Sequence, residues 1–260
     1  MTKPPPRFPL ALERVAAPRV ATAPAARPAP AAPAGHGLDS AGVRARMVAR
    51  LRADGVRHPA VLAAFGEMPR HLFIDSALVA QAYEDTSLPI GHGQTISKPS
   101  VVARMLELLF AGANASARAS LGRALEIGTG CGYQAALLCL LSRNVVSLER
   151  LRPLHDKARD LLAPVRRDNL RLVYGDGRLG HAPNAPYDTI VAAAGGEEIP
   201  PAWLEQLAIG GRLVAPLQDA VGTGQALIVV DRTEREFIRT LHESVRFVPL
   251  KSGVSDPRQT

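Results

Sequence analysis

Aromatic residues, cysteines and clustered histidines are scarce in this chain, and each scarcity argues against a class of function. Phe, Trp and Tyr make up only 4% of the 260 residues, which argues against a surface that stacks the bases of single-stranded nucleic acid. The two cysteines, Cys131 and Cys139, have neither metal-ligand nor disulfide-framework spacing. The seven histidines form no His-x-His or His-Glu-x-x-His pattern. We therefore expect a reduced, cytoplasmic setting and no metal.

Long apolar runs and dense blocks of basic charge are absent as well. The longest apolar run, at 135–141, is far shorter than a membrane span. The formal net charge is +7, but the first 35 residues hold five basic residues against Glu13 alone. The rest of the chain is therefore only mildly basic, and we expect neither a membrane nor a nucleic acid as partner.

The most informative stretch that is present is Arg123-Ala-Leu-Glu-Ile-Gly-Thr-Gly-Cys-Gly-Tyr133. An apolar run enters three alternating glycines at 128, 130 and 132, and a second apolar run ends in Glu149, 21 residues after Gly128. This pattern predicts a strand, a tight turn, a helix and a second strand whose terminal carboxylate meets the ribose hydroxyls of a nucleotide-like cofactor. Glycine suits such a turn because a ligand can approach the backbone where a Cβ would collide.

The spacing of these glycines distinguishes two kinds of cofactor. Dinucleotide folds usually carry Gly-x-Gly-x-x-Gly, whereas this loop reads Gly-x-Gly-x-Gly and follows Glu126. A carboxylate beside the turn repels a pyrophosphate but suits the ammonium end of S-adenosylmethionine. Glu126, the loop and Glu149 together therefore favour S-adenosylmethionine over a nicotinamide cofactor.

Strands alternate with helices over the second half of the chain. The apolar patterns predict strands at 124–127, 145–148, 170–174, 189–193, 212–216, 226–231 and 237–247. They predict helices at 41–52, 59–68, 100–110, 132–141, 153–162 and 201–207. This alternation predicts a mostly parallel, doubly wound α/β sheet, and the two final strands without a helix between them predict an antiparallel edge. The segment 83–97 has too many glycines for regular structure, and a loop of this length is usually functional.

Five segments of the chain resemble protein-L-isoaspartate O-methyltransferases. They are Asp85-Thr-Ser-Leu-Pro-Ile-Gly-His-Gly-Gln-Thr-Ile-Ser-Lys-Pro99, Ala124-Leu-Glu-Ile-Gly-Thr-Gly-Cys-Gly-Tyr133, Gly175-Asp-Gly177, Pro186-Tyr-Asp188 and Val245-Arg-Phe-Val-Pro-Leu250. The resemblance runs from about Ser40 to Lys251. It implies methyl transfer from S-adenosylmethionine to the free α-carboxylate of isoaspartyl residues in damaged proteins and peptides. The ester then collapses to a succinimide, which reopens partly as normal aspartate.

The resemblance also implies roles for single residues. The active-site hydroxyl falls at Ser97, contacts to the methionine end and the loop at Glu126, Gly128 and Gly130, ribose recognition at Glu149, and adenine contacts at Asp176 and Gly177. The sequence alone favours a different role for Ser97, that of capping the helix that begins near Pro99, and it is the resemblance that favours the catalytic role; the two roles are compatible. Where the family often has Ala-Ala-Pro, this chain reads Ala193-Ala-Gly-Gly196, which we expect to make that loop more flexible.

The composition places a domain boundary near residue 36. The first 35 residues contain nine prolines and eleven alanines, so we expect residues 1–36 to be a disordered, basic tail. Residues 37–260 are expected to form a single methyltransferase domain and a monomer. Within it, 37–120 would be a helical cap with the substrate loop, and 121–260 the Rossmann-like, cofactor-binding sheet.

Two other functions stay open on the sequence. A methyltransferase of the same fold could act on one dedicated peptide client, and a non-catalytic module could bind S-adenosylmethionine without turnover. Methylation of the amino groups of bases is disfavoured, because the segment 192–196 lacks an Asn/Asp-Pro-Pro-Tyr/Phe motif.

Overall fold

The computed structural model describes Met1 and residues 41–165, 167–218 and 224–255. Apart from Met1, the tail predicted at residues 1–36 lies outside these ranges. The described helices are α1 (Ala41–Ala53), α2 (Pro59–Glu67), α3 (Pro99–Phe110), α4 (Ala113–Arg118), α5 (Tyr133–Leu141), α6 (Arg152–Leu162) and α7 (Pro201–Gln206). The described strands are β1 (Leu88–Gly91), β2 (Gln94–Ile96), β3 (Arg123–Ile127), β4 (Asn144–Glu149), β5 (Leu170–Tyr174), β6 (Tyr187–Ala192), β7 (Leu207–Gln218), β8 (Gln225–Arg232) and β9 (Phe237–Val245).

One seven-stranded sheet organises the second half of the chain. Its strand order is β5-β4-β3-β6-β7-β8-β9. The first five strands in this order run parallel, and β8 is antiparallel to both of its neighbours. The prediction of a doubly wound sheet with an antiparallel edge is confirmed. Strand order reverses beside β3, between β4 and β6, and such a point is where ligands bind outside the carboxyl ends of the strands.

The central strands are buried on both faces, which explains their nearly continuous apolar sequences. In β3, Leu125 and Ile127 pack with Trp203 on one side of the sheet, and Ala124 packs with residues of α3 and α5 on the other. Pro99 at the start of α3 fits the first turn of a helix, where its missing N–H has no partner to lose. The two layers hold the carboxyl edge of the sheet rigidly.

Three local expectations are wrong. The segment 83–97 contains the antiparallel hairpin β1–β2, in which Leu88 pairs with Ile96, because the glycines supply its turn rather than break a strand. Residues 111–120, where the apolar patterns predict no helix, contain α4, held by hydrogen bonds from Asn114 Nδ2 to Asp188 (3.0 Å) and to the Ile209 carbonyl (2.9 Å). Strand β7 begins at Leu207 rather than at 212, directly after α7.

After β9, the segment 247–255, here called the C-terminal strap, crosses the carboxyl edge of the sheet. The Gly195 N–H donates to the Val248 carbonyl (2.8 Å), and the Leu250 N–H donates to the Gly195 carbonyl (2.7 Å). At its far end, the Ser255 N–H donates to the carbonyl of Arg150 (2.8 Å). Both backbone polar groups of Gly195 are thus hydrogen-bonded to the strap, and the extra flexibility of this loop stays a prediction. A Cβ at position 195 would overlap the side-chain amide of Gln225.

Among the described residues, no helix has both the length and the apolar character needed to cross a membrane.

Candidate functional site

A cleft of about 400 Å³ opens at the carboxyl ends of β3, β4 and β6. This volume is within the ~300–1,000 Å³ range of small-molecule sites. Five of the residues predicted from the sequence line it together: Ser97, Gly128, Gly130, Glu149 and Gly177. Glu126 and Asp176 do not belong to its wall.

The glycine loop forms the floor of the cleft. Gly128 has a φ of 92° and Gly130 a φ of 57°, which are backbone conformations that residues with a Cβ rarely adopt. A Cβ at Gly130 would also lie 3.2 Å from Ile90 Cδ1 in the hairpin. The loop therefore brings bare backbone into the cleft directly beneath the hairpin.

Glu149 ends β4 on the cleft wall and is 5% exposed. Its Oε2 accepts a hydrogen bond from the Gly130 N–H (2.9 Å), and its Oε1 accepts one from the Leu151 N–H (2.9 Å). Burial raises the pKa of Glu149, against the effect of these backbone donors. The backbone of Arg150 also acts on this carboxylate, but because an ionised carboxylate has about four acceptor positions, acceptor capacity remains for a ligand. Glu149 can therefore accept hydrogen bonds from paired hydroxyls while it fixes the loop.

Glu126 lies beneath the glycine loop and is completely buried. Ser147 Oγ donates to its Oε2, and the same hydroxyl contacts Thr129 Oγ1 at 2.6 Å. Burial raises the pKa of Glu126 from 4.5 to about 8, although the neighbouring Ser147 and Gln134 side chains oppose the rise. The structure thus places Glu126 directly under the floor of the cleft, and its contact with the methionine end of a cofactor stays a prediction.

Asp176 and Gly177 follow β5 and have different surroundings. Gly177 lines the cleft, and its carbonyl accepts a hydrogen bond from Trp203 Nε1 (2.8 Å). The Asp176 carboxylate instead accepts from the backbone N–H of Arg178 (2.9 Å) and from that of Gly253 in the C-terminal strap (2.6 Å). Asp176 therefore closes a turn and holds the strap, and the adenine contact stays a prediction.

Ser97 follows β2 at the end of the hairpin. Its hydroxyl has no hydrogen-bond partner within the described part of the chain. The N-cap of α3 is Lys98, and the helix start is held by Asp85, which accepts from the Ser100 N–H (2.8 Å) and from Ser100 Oγ (2.7 Å). The capping role considered for Ser97 is therefore taken by other residues, and its hydroxyl is available to a ligand.

Patterns in the sequence indicate no functional role for the C-terminal strap, Arg70 or Lys157. Val248, Pro249, Leu250, Lys251 and Ser255 of the strap line the cleft. The only signal for the strap was the segment 245–250, which took part in the family resemblance without an assigned role.

The arrangement suits a cationic, nucleoside-like ligand. Two buried carboxylates, Glu126 and Glu149, lie in or directly under the floor, and their proximity adds to the raised pKa of Glu126. A positive ligand charge nearby would favour their ionised forms. Among the described residues, no group of three or more His, Cys, Asp or Glu side chains could hold a metal ion.

Comparison with known proteins agrees with this geometry. The model of the protein-L-isoaspartate(D-aspartate) O-methyltransferase family matches residues 43–255. A protein-L-isoaspartate O-methyltransferase of Leptothrix cholodnii is 66% identical over 228 residues, which cover 87% of this chain and 80% of the relative. One of Methylibium petroleiphilum is 61% identical over 265 residues, covering 96% of this chain and 97% of the relative.

Solved structures show the same similarity. A protein-L-isoaspartate O-methyltransferase superposes with a TM-score of 0.72 at 27% identity, covering 81% of this chain and 67% of that one. A Plasmodium falciparum structure, described as an enzyme of this type in complex with S-adenosyl-L-homocysteine, has a TM-score of 0.66 at 23% identity, covering 79% of this chain and 97% of that one. At that identity the second likeness concerns the fold alone.

Proposed function

The chain belongs to the protein-L-isoaspartate(D-aspartate) O-methyltransferase family, and we propose that its reaction takes place in the cleft between Ser97, the glycine loop and the C-terminal strap. The enzyme transfers a methyl group from S-adenosylmethionine to the free α-carboxylate of L-isoaspartyl residues, the step that starts repair through a succinimide. The position of Ser97 is the observation that supports this site most directly. Ser97, whose hydroxyl has no partner among the described residues, lines the same cleft as the glycine loop and Glu149.

The cleft fits S-adenosylmethionine on several observations. The backbone at Gly128 and Gly130 forms a cradle that side chains would obstruct. Glu149 retains acceptor positions for the ribose hydroxyls, and Gly177 lies on the wall near the end of β5, where the adenine would bind. Burial keeps Glu126 protonated below about pH 8 in the free protein, and the cationic end of the ligand above the loop would lower this pKa and favour the ionised carboxylate.

The chemistry of the acceptor explains why the cleft needs no general base. An α-carboxylate has an ordinary pKa of about 3.3–3.7 and is already ionised near neutral pH. When bound, S-adenosylmethionine supplies an electrophilic methyl group on a sulfonium. Ser97 donates a hydrogen bond that orients the acceptor carboxylate, while the hairpin and the strap exclude water. Charge is neutralised as the reaction proceeds, so a drier cleft favours it.

Positioning is then the main contribution of the protein. Holding two reactants in line can supply roughly 7–11 kcal/mol of the barrier. Ile90 above Gly130 fixes the distance between the hairpin and the glycine loop. The substrate, a protein or peptide chain that carries the damaged residue, therefore enters beside the hairpin. We further propose that the enzyme acts in the cytoplasm as a monomer and without nucleic acid.

The substrate range is tested with paired peptides that differ only in Asp versus isoAsp at one position. We expect methylation of the isoaspartyl member alone, followed by release of methanol. A panel of unrelated isoaspartyl sequences then separates general repair from one dedicated client. Cofactor binding without turnover of any peptide would contradict the proposal and favour a non-catalytic module.

A further inference from the structure

Arg70 is a buried arginine that touches the backbone of Ser97 from outside the cleft. Its Nη2 donates to the carbonyl of Ser97 (2.7 Å), and its Nε donates to the carbonyl of Ala82 (2.9 Å). The side chain is 0% exposed, so water does not compete for either carbonyl. The Arg70 guanidinium therefore connects Ser97, which follows the hairpin, to Ala82, which precedes it.

The positive charge of Arg70 forms no ion pair within the described residues. Its Nη1 forms no hydrogen bond of ordinary geometry there, and its one polar neighbour on that side is the neutral Tyr133 side chain, with which the guanidinium interacts favourably. Asp85 attracts this charge electrostatically. Its carboxylate oxygens, however, accept hydrogen bonds from the Ser100 N–H and hydroxyl rather than from Arg70. The guanidinium carbon lies 4.8 Å from the centre of the Tyr133 ring, and burial raises the pKa of Tyr133 to about 12, so that this ring is neutral near pH 7. A buried arginine without a neutralising partner is costly.

The same aromatic ring belongs to the cleft. Tyr133 is part of the cleft wall, as is Ser97. The charge of Arg70 therefore lies beside two residues of the cleft wall, Tyr133 and Ser97. Desolvation lowers the pKa of Arg70, but an arginine side chain remains protonated in proteins.

We propose that Arg70 is the positioning residue of this active site: it fixes the carbonyl of Ser97 so that the hydroxyl meets the acceptor, and its unpaired charge attracts the acceptor carboxylate. The proposal rests on the proposed function of the cleft. Arg70 touches neither the substrate nor the cofactor and acts through Ser97 and across Tyr133. A misplacement of about 1 Å can cost on the order of 100-fold in rate. Loss of the hydrogen bond that fixes the Ser97 backbone is therefore expected to lower the rate measurably.

Two substitutions separate the anchor from the charge. Arg70→Lys keeps the charge, but an ammonium group cannot reproduce the planar fork that binds two carbonyls. We expect kcat for an isoaspartyl peptide to fall at least about 10-fold, with KM for the peptide and Kd for S-adenosyl-L-homocysteine unchanged. Arg70→Met also removes the charge, so KM for the peptide should rise in addition. An unchanged KM in Arg70→Met would overturn the attraction of the acceptor by charge.

Arg50 offers a matched control. Its Nη2 binds the carbonyl of Tyr83, next to Ala82, and it pairs with Glu84 at the surface. Arg50→Lys therefore loosens the same segment without reaching Ser97, and we expect kcat to stay within about twofold. A fall equal to that of Arg70→Lys would show that any weakening of the segment is sufficient, which would overturn the specific role of Arg70.

The decisive readout is a double-mutant cycle with Ser97→Ala. If Arg70 acts through the Ser97 hydroxyl, Arg70→Lys should lower kcat much less in the Ser97→Ala background than in the wild type. Equal losses in both backgrounds would overturn the proposal, because a general structural defect is indifferent to that hydroxyl. This cycle decides the question even if Arg70→Met does not fold.

A readout that does not need turnover separates this inference from the proposed function. Hydrogen exchange of the amides at 94–98, measured in the full chain, should accelerate about 10-fold in Arg70→Lys, while exchange in α2 stays unchanged. Equal exchange in wild type and variant would overturn the anchoring. If the wild type methylated no isoaspartyl peptide, the proposed function would fail, and the exchange data would still test Arg70.

Discussion

Lys157 donates a hydrogen bond from Nζ to the backbone carbonyl of Ile90 over a distance of 3.0 Å. Lys157 belongs to α6, which follows the strand that ends in Glu149, and Ile90 belongs to the hairpin. The contact therefore joins the cofactor side of the cleft to the acceptor side. Because Ile90 also packs over Gly130, the relative position of the two sides depends on this one region of the hairpin.

Removing this contact should loosen the hairpin. Lys157→Met abolishes a partly buried, charged hydrogen bond, for which about 1.5–3 kcal/mol is typical. We expect kcat/KM for an isoaspartyl peptide to fall about 10- to 150-fold, mainly through KM, in steady-state assays. Arg159→Met on the same helix is the control, because the Arg159 side chain is 57% exposed. Equal kinetics for Lys157→Met and wild type would show that the hairpin needs no tether.

Glu149 should determine cofactor affinity. Glu149→Gln replaces an acceptor oxygen by an amide donor, so that either the Gly130 N–H or the Leu151 N–H loses its partner. We expect the affinity for S-adenosyl-L-homocysteine to fall about 10- to 150-fold, the range for losing a hydrogen bond to a charged group. Calorimetry measures the affinity, and circular dichroism checks the fold. The exposed Glu198 gives the matched control Glu198→Gln, and an equal affinity in both variants contradicts the role of Glu149.

Glu126 should make stability fall as the pH rises. Its pKa is raised from 4.5 to about 8 by burial, so between these values the unfolded chain has lost the proton that the folded protein keeps. The folded state is therefore destabilised progressively from pH 4.5 to about pH 8, by up to about 5 kcal/mol. Glu126→Gln removes this cost. Thermal unfolding should show that the stability gain of the variant grows between pH 5 and pH 8.5, and a gain independent of pH contradicts the assignment.

Asp176 should act on the cofactor through the C-terminal strap. Asp176→Ala frees the Gly253 N–H, so we expect S-adenosyl-L-homocysteine to dissociate several-fold faster in stopped-flow measurements. In a chain truncated after Leu250 the strap contact is already absent, and the same substitution should then change the dissociation rate little. A full effect of Asp176→Ala in the truncated chain would instead support a direct contact between Asp176 and the adenine.

The sequence predicts the sheet and the edge that carries the site, because both follow from local patterns. Glu149 could be placed since a residue that ends a parallel strand next to the glycine loop must lie at the carboxyl edge. The position of Glu126 could not be derived in the same way: a carboxylate beside the loop is visible in the sequence, but its enclosure under Thr129 and Ser147 depends on how β3 and β4 pair. Arg70 is 27 residues from Ser97, and the periodicity of a sequence does not predict a contact between residues so far apart.

The strap was equally inaccessible to pattern analysis. Gly253 binds Asp176 across 77 residues, and the segment 247–255 has neither helical nor strand periodicity. Its role depends on where β9 ends relative to β4 and β6, which is a property of the whole sheet.

The central claim is that the Ser97 hydroxyl orients the acceptor beside the bound cofactor, and single-turnover methylation of an isoaspartyl peptide by Ser97→Ala tests it most directly. We predict a rate about 10- to 150-fold below that of the wild type, with the affinity for S-adenosyl-L-homocysteine unchanged. Ser97→Thr, which keeps the hydroxyl, should retain more of the rate than Ser97→Ala. A single-turnover rate in Ser97→Ala equal to that of the wild type would contradict the account.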